Sequence, residues 1–150
     1  MRIVVQRVTQ ASVEIDNKVK GQIGLGLLLL AGFTADDTDD DLKWVANKVT
    51  QLRIFGDTDD KMNLSVQDVQ GDVLAVSQFT LYASTKKGNR PSYTNAAPPA
   101  IAIPLYEQFI GYLELALGKP IQTGEFGADM KVSLLNDGPV TIIIDSQNKE

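Results

Sequence analysis

The opening of the chain carries a period of two. From Arg2 to Val8, Ile3 and Val5 share one face while Val4 and Arg7 interrupt the pattern, which predicts a strand. Ala11 to Ile15 repeats it, with Val13 and Ile15 on one face. Asp16-Asn17 supplies turn residues that tolerate positive φ, so Lys18 to Ile23 reads as the return strand of a meander. Gly21, Gly24 and Gly26 invite a dinucleotide loop, but Leu29 stands where the third glycine of G-x-G-x-x-G belongs. They read as turn and close-packing glycines around a buried strand, Leu25 to Gly32. The period then becomes helical: Leu42, Val45, Ala46, Val49 and Leu52 predict an amphipathic helix from about Asp39 to Arg53. Trp44 lies off that stripe and is expected to touch another part of the chain or a second subunit.

The acidic run from Asp36 to Asp41 suits the start of that helix, where Asp and Thr cap free amides and negative charge meets the positive end of the dipole. A calcium loop fails on spacing. Counted from Asp37, the glycine position holds Leu42 and the terminal acid position holds Lys48; counted from Asp57, Met62 stands at the glycine position. Met62 to Val69 is too mixed to assign. Asp72-Val73-Leu74-Ala75-Val76 is a buried central strand. After a loop at Ala83 to Asn95, Pro98-Pro99 announces a second helix whose apolar face is Leu105, Tyr106, Phe109, Tyr112, Leu113, Ala116 and Leu117. Pro104 is expected in its first turn, and Gly118 with Pro120 stops it. Three extended segments follow, at about Ile121 to Phe126, Lys131 to Asn136 and Val140 to Asp145. With no repeat or linker, 150 residues suit a single domain, 1–150. The element order predicts a mixed α/β fold of mostly antiparallel sheets or a partial barrel, with two main helices packed on one side.

Two segments carry polar residues where a strand leaves the core. In Ser77-Gln78-Phe79-Thr80-Leu81 an extended chain puts Ser77 and Phe79 on one face and Gln78 and Thr80 on the other, with backbone amides free for a ligand. The plain alternative is that Ser and Thr end the strand. Asn136-Asp137-Gly138-Pro139-Val140-Thr141 sits between the last two strands, where on local grounds Gly-Pro makes a tight turn.

Composition narrows the chemistry. The hydrophobic share of 43% and charged share of 22% are those of an ordinary globular chain, so disorder is not expected. Histidine and cysteine are both absent, which excludes Ser-His-Asp and Cys-His catalysis, disulfides and thiolate metal sites. The net charge of -5 argues against a surface that grips nucleic acid throughout, though it leaves room for a local patch. Lys86, Lys87 and Arg90, flanked by Tyr82 and Tyr93, are that patch or a solvated loop. No apolar run approaches the ~20 residues of a membrane span, the longest being Leu25 to Phe33, and Met1-Arg2 leads straight into a strand. A cytoplasmic protein without a membrane partner is expected.

Taken together, Ser-Gln-Phe-Thr-Leu at 77–81 and Asn-x-Gly-Pro-Val-Thr at 136–141 resemble the two signature motifs of the D-aminoacyl-tRNA deacylases. Met1 to Val8, Leu52 to Phe55, Lys61 to Ser65, Asn95 to Pro99 and Phe126 to Met130 are similar to family positions in family order. The resemblance covers nearly the whole chain and departs at no signature residue. It implies that family's fold, and hydrolysis of the ester joining a D-amino acid to the terminal adenosine of tRNA. Glycine, including glycine mischarged on tRNA-Ala, is the other implied substrate. It further implies a homodimer with shared active sites. In that dimer a cis Gly138-Pro139 peptide, held by Arg7, reaches into the partner and excludes L side chains with its carbonyls. Phe126 and Met130 match positions that hold the terminal adenine, while Ser77 and Gln78 would line the pocket around the amino group and ester.

An ester under attack develops charge on oxygen, which fixed backbone donors stabilise; that role is assigned to the Phe79 amide, together with that of Thr80. The resemblance favours a water activated by the terminal 2′-hydroxyl, with Thr80 as covalent nucleophile the alternative. Lys86, Lys87 and Arg90 become candidate acceptor-stem phosphate contacts. The expected partners are aminoacyl-tRNA and a second subunit, with no cofactor, metal or DNA. Two rival readings are a non-catalytic dimeric module for tRNA ends and a Thr80-dependent esterase for small molecules.

Overall fold

A computed structural model describes residues 1–150. Its elements are β1 (Arg2–Ile15), β2 (Lys18–Ile23), β3 (Gly26–Gly32), α1 (Asp39–Gln51), β4 (Phe55–Gly56), β5 (Met62–Leu64) and β6 (Asp72–Ser77). A 3-10 turn (Phe79–Tyr82), α2 (Pro99–Leu117), β7 (Gln122–Thr123) and β8 (Lys131–Asp145) complete the chain. The two segments expected at the N-terminus are one strand. Its first half pairs antiparallel with β3, from Arg2 opposite Gly32 to Val8 opposite Gly26, and its second half pairs with β2. Its other edge runs against β8. Beyond β3 the sheet continues through β6 and β7, both added parallel. The sheet curls until β2 lies over β7, where a Cβ on Gly21 would stand 2.8 Å from the Thr123 carbonyl oxygen. The mixed α/β partial barrel expected from the sequence is the observed architecture.

Alternation along the strands separates two apolar clusters. Ile3 and Val5 of β1, Leu27, Leu29 and Ala31 of β3, and Val73 and Ala75 of β6 meet both helices on one face. The helices contribute Leu42, Val45, Ala46 and Val49 from α1, and Ala102, Tyr106, Phe109 and Leu113 from α2. Val8, Val13, Ile23, Leu28, Leu74 and Val76 fill the inside of the curl.

α1 starts as its acidic run predicts. Thr38 is the N-cap, its Oγ1 accepting from the Asp41 N–H at 3.3 Å while the Asp41 carboxylate accepts from the Thr38 N–H at 2.9 Å. The helix ends at Gln51, slightly short of Arg53, because Leu52 has left helical geometry at ψ 123°. Trp44 meets its own chain, with the Lys149 ammonium 4.6 Å from its ring centroid and that of Lys48 at 5.6 Å.

Three expectations need correcting. Pro104 lies in the interior of α2, beyond the first turn that Pro99 opens. The carbonyl it leaves without a partner belongs to Ala100, which is exposed, so water can serve it. α2 is long and apolar enough, by length and composition, to cross a bilayer, against the expectation that no run is; here Tyr106, Phe109 and Leu113 pack it onto the sheet. Finally, Lys131 to Asn136 and Val140 to Asp145 belong to one strand rather than two joined by a tight turn. Gln6 pairs with Thr141 and Val8 with Asn136, so the intervening residues 137–140 bulge opposite Arg7 alone.

Phe109 is fully buried and meets Phe33 edge-on at 6.3 Å between centroids. Phe109→Ala should lower the unfolding free energy by about 3–5 kcal/mol, against about 1 kcal/mol for Thr38→Ala. Chemical denaturation of the two variants checks both the size and the order.

Candidate active site

β6 leaves the core at Ser77, still paired with Ala31, and the Gln78 N–H donates to the Ala31 carbonyl at 2.7 Å. There the extended geometry stops. Gln78 caps the 3-10 turn, the Leu81 N–H closing on the Gln78 carbonyl at 3.2 Å and the Ala83 N–H on that of Thr80 at 3.0 Å. The alternation expected through Thr80 is therefore not kept, because these local bonds replace the ladder. Phe79 and Thr80 open the turn, so their N–H groups have no acceptor within it, and the Gln78 side chain does not cap them. The Gln78 amide donates instead to Thr80 Oγ1.

A cavity of about 250 Å³ opens at this point. Ser77, Gln78 and Phe79 line it together with Phe126 and Met130, residues far apart in sequence. The Tyr106 ring, centred 6.0 Å from that of Phe126, backs the aromatic wall. Gly124 leaves the space that the Met130 sulfur occupies. None of the lining residues carries a titratable side chain. Thr80 is half-buried and does not line the cavity. A larger groove of about 790 Å³, along Arg2, Val4, Ile143 and Lys149, takes only Leu81 from the first motif and no residue from the second.

Arg7, Gly138 and Pro139 stand apart from the cavity. The Gly138-Pro139 peptide is cis, both residues are exposed, and Gly138 has φ 124°. Arg7 Nε donates to the Asp137 carbonyl at 3.1 Å and lies 3.3 Å from the Asp137 carboxylate, while Nη1 donates to the Ile54 carbonyl at 2.6 Å. A Cβ on Gly138 would stand 2.8 Å from Arg7 Nη2, so arginine and bulge fit only with glycine there. Arg7 is five residues along β1 from Arg2, whose partner Gly32 lines the cavity. At about 3.4 Å per residue the bulge is roughly 17 Å from that end of the sheet.

Lys86, Lys87 and Arg90 are exposed, form no ion pair and do not line the cavity. They belong to an arm closed by backbone bonds between Ser84 and Ser92, at 2.8 and 2.9 Å. The arm returns to the cavity at Ala97, whose N–H donates to the Phe33 carbonyl at 2.8 Å. Sequence reasoning does not find Gly32 or Phe33 as lining residues. Only the family-like segment Asn95 to Pro99 points towards Ala97.

The family model of D-Tyr-tRNA(Tyr) deacylase matches residues 4–145. A D-aminoacyl-tRNA deacylase of Flavobacterium psychrophilum is 60% identical over 150 residues, the whole of both chains. Another, of Parabacteroides distasonis, is 61% identical over the same extent. Among solved structures, a c-Myc DNA unwinding element binding protein superimposes with a TM-score of 0.92 at 40% identity, covering 97% of this chain and 98% of its own. A probable eukaryotic D-amino acid tRNA deacylase matches with a TM-score of 0.82 at 19% identity, covering 95% of this chain and 97% of its own, a likeness of fold.

Two tyrosines report on the packing around the site. Burial pushes the Tyr106 hydroxyl, which donates to the Ala75 carbonyl at 3.0 Å, up to about 12. Burial, then the charges of Asp37 and Asp145, also raises Tyr82, whose hydroxyl has no partner. A raised folded value means that the native state keeps the proton longer than the unfolded chain does. The stability contribution is thus complete below pH about 10 and is lost as pH climbs through about 12. Ultraviolet titration should show Tyr106 ionising late, with the denaturation midpoint falling across the same interval.

Proposed function

This chain belongs to the D-Tyr-tRNA(Tyr) deacylase family, and we propose that it hydrolyses the ester of D-aminoacyl-tRNA to free D-amino acid and tRNA. The observation that carries this reading is a cavity uniting Ser77, Gln78 and Phe79 with Phe126 and Met130 and lacking any titratable side chain. A side-chain general base must lie within hydrogen-bond reach of the proton it removes. Here the lining offers backbone donors, a hydroxyl, an amide and an apolar slot.

In the proposed reaction the terminal adenine lies against Phe126 and Met130, an aromatic face and a soft thioether. Ser77 and Gln78 flank the amino group and ester. Water attacks the carbonyl with the terminal ribose 2′-hydroxyl assisting its loss of a proton, so the substrate supplies what the chain lacks. The Phe79 N–H, joined by that of Thr80, meets the charge that develops on oxygen; one such donor is worth about 2.7–4 kcal/mol. Collapse of the tetrahedral adduct breaks the acyl–oxygen bond, and the departing ribose oxygen takes up a proton. Thr80 as nucleophile has less support, because its hydroxyl bonds to the Gln78 amide nitrogen, a donor that accepts no proton.

Handedness is assigned to a second copy of the chain. The bulge is exposed and roughly 17 Å from its own cavity's end of the sheet, on a strand that also exposes Leu134, Leu135 and Ile143. These observations support a homodimer in which Gly138 and Pro139 of one subunit enter the cavity of the other. Their carbonyls collide with an L side chain, while a D side chain points away and glycine has none. Glycine on tRNA-Ala is therefore a substrate as well. Lys86, Lys87 and Arg90 meet acceptor-stem phosphates, and the work is done in the cytoplasm.

Purified protein is expected to release amino acid rapidly from D-tyrosyl-tRNA and glycyl-tRNA and to spare L-tyrosyl-tRNA. Equal hydrolysis of both tyrosyl esters would remove the exclusion argument, and none at all would leave a tRNA-end-binding module. Thr80→Ala should keep measurable turnover. Complete loss with tRNA binding intact, read by filter retention, would instead make Thr80 the nucleophile.

A further inference from the structure

The reaction described above leaves one aromatic pair unused. Phe79 gives its backbone to the site, yet the residue is 54% exposed, and Tyr93 is 40% exposed. Their rings meet edge to face, with centroids 5.1 Å apart and planes at 72°. Phe79 lines the cavity, so the Tyr93 ring stands beside its mouth. Tyr93 does not hang there by chance of loop geometry. It follows directly on Ser92, whose backbone closes the arm against Ser84, and its own carbonyl accepts from the Ala96 N–H at 3.1 Å. Within the closed part of the arm lie Lys86, Lys87 and Arg90, all exposed and unpaired.

Half-exposed aromatic rings beside clustered cations are the chemistry of single-stranded nucleic acid. Bases stack on the rings and the charges follow the backbone. An apolar wall for the amino-acid side chain would gain nothing from the cations. Resting on the deacylase reading, we propose that Phe79 and Tyr93 form a stacking platform for the unpaired nucleobase that precedes the terminal adenosine. Phe126 and Met130 hold the last base inside the cavity, and Tyr93 holds the next one outside it. Tyr93 is thus a substrate-binding residue for the RNA, independent of which amino acid is carried.

The test compares D-tyrosyl-tRNA with D-tyrosyl-adenosine, the same ester lacking every upstream nucleotide. Tyr93→Ala should lower kcat/KM on the tRNA roughly 10-fold or more, and by clearly less on the nucleoside ester, while Tyr93→Phe restores the tRNA value. A direct readout uses an acceptor-stem RNA with 2-aminopurine at the penultimate position. The wild-type chain should quench its fluorescence by stacking, and Tyr93→Ala should abolish the quench without abolishing binding. Equal loss on both substrates would overturn the platform, since Tyr93 would then only prop Phe79 or seat the partner. An unchanged quench in Tyr93→Ala would overturn it too. Inactivity of the wild-type chain on both esters would instead overturn the deacylase reading beneath it.

Discussion

Everything in this molecule hangs on the backbone pairing of β1. One edge of that strand is shared between β3 and β2, and the other is occupied by β8. A strand saturated on both edges cannot slip, because a shift of one residue would exchange Ile3 and Val5 with Val4 and turn the core outward. Its start, where Arg2 pairs with Gly32, lies at the cavity end of the sheet, and its middle carries Arg7 and the bulge. The spacing between cavity and bulge is therefore a property of one rigid element.

The cavity exploits a second consequence of the topology. β3 and β6 are parallel neighbours and both end at the same edge. A parallel pair needs a long crossover, here the segment containing α1, β4 and β5. The crossover leaves β3 at this edge and enters β6 at the opposite one, and the cavity lies where the two strands end. Gly32, Phe33, Ser77 and Gln78 face a common space there, and α2 and the segment after β7 close it with Ala102, Phe126 and Met130.

Local pattern reveals the parts whose stability is local. α1 could be read from its stripe and capping box because both lie within a few turns of chain, and β6 from an unbroken apolar run. β1 could not be read as one strand. Thr9 and Gln10 are exposed and polar, and what carries the strand through them is pairing with β8, more than a hundred residues away. Gly138-Pro139 deceives in the same way. It has the chemistry of a turn, but Arg7 satisfies the Asp137 carbonyl and β8 resumes against β1 on the far side. Phe126 and Met130 carry no local sign of a site; without the family resemblance they are ordinary core residues. Tyr93 was visible only as a neighbour of cations, since its contact with Phe79 depends on how the arm folds back.

The absence of titratable side chains from the cavity reaches beyond the reaction itself. In the proposed chemistry the decisive groups are the N–H of Phe79 and the carbonyls of Gly138 and Pro139. A codon change can replace a side chain but leaves the carbonyl in place at every position, and the N–H too unless the new residue is proline. The machinery is thus sheltered from most single substitutions and exposed chiefly to those that move the main chain. Inheritance of such an activity is inheritance of a backbone path, and the residues that guard it are the ones that fix the path rather than the ones that touch the ester.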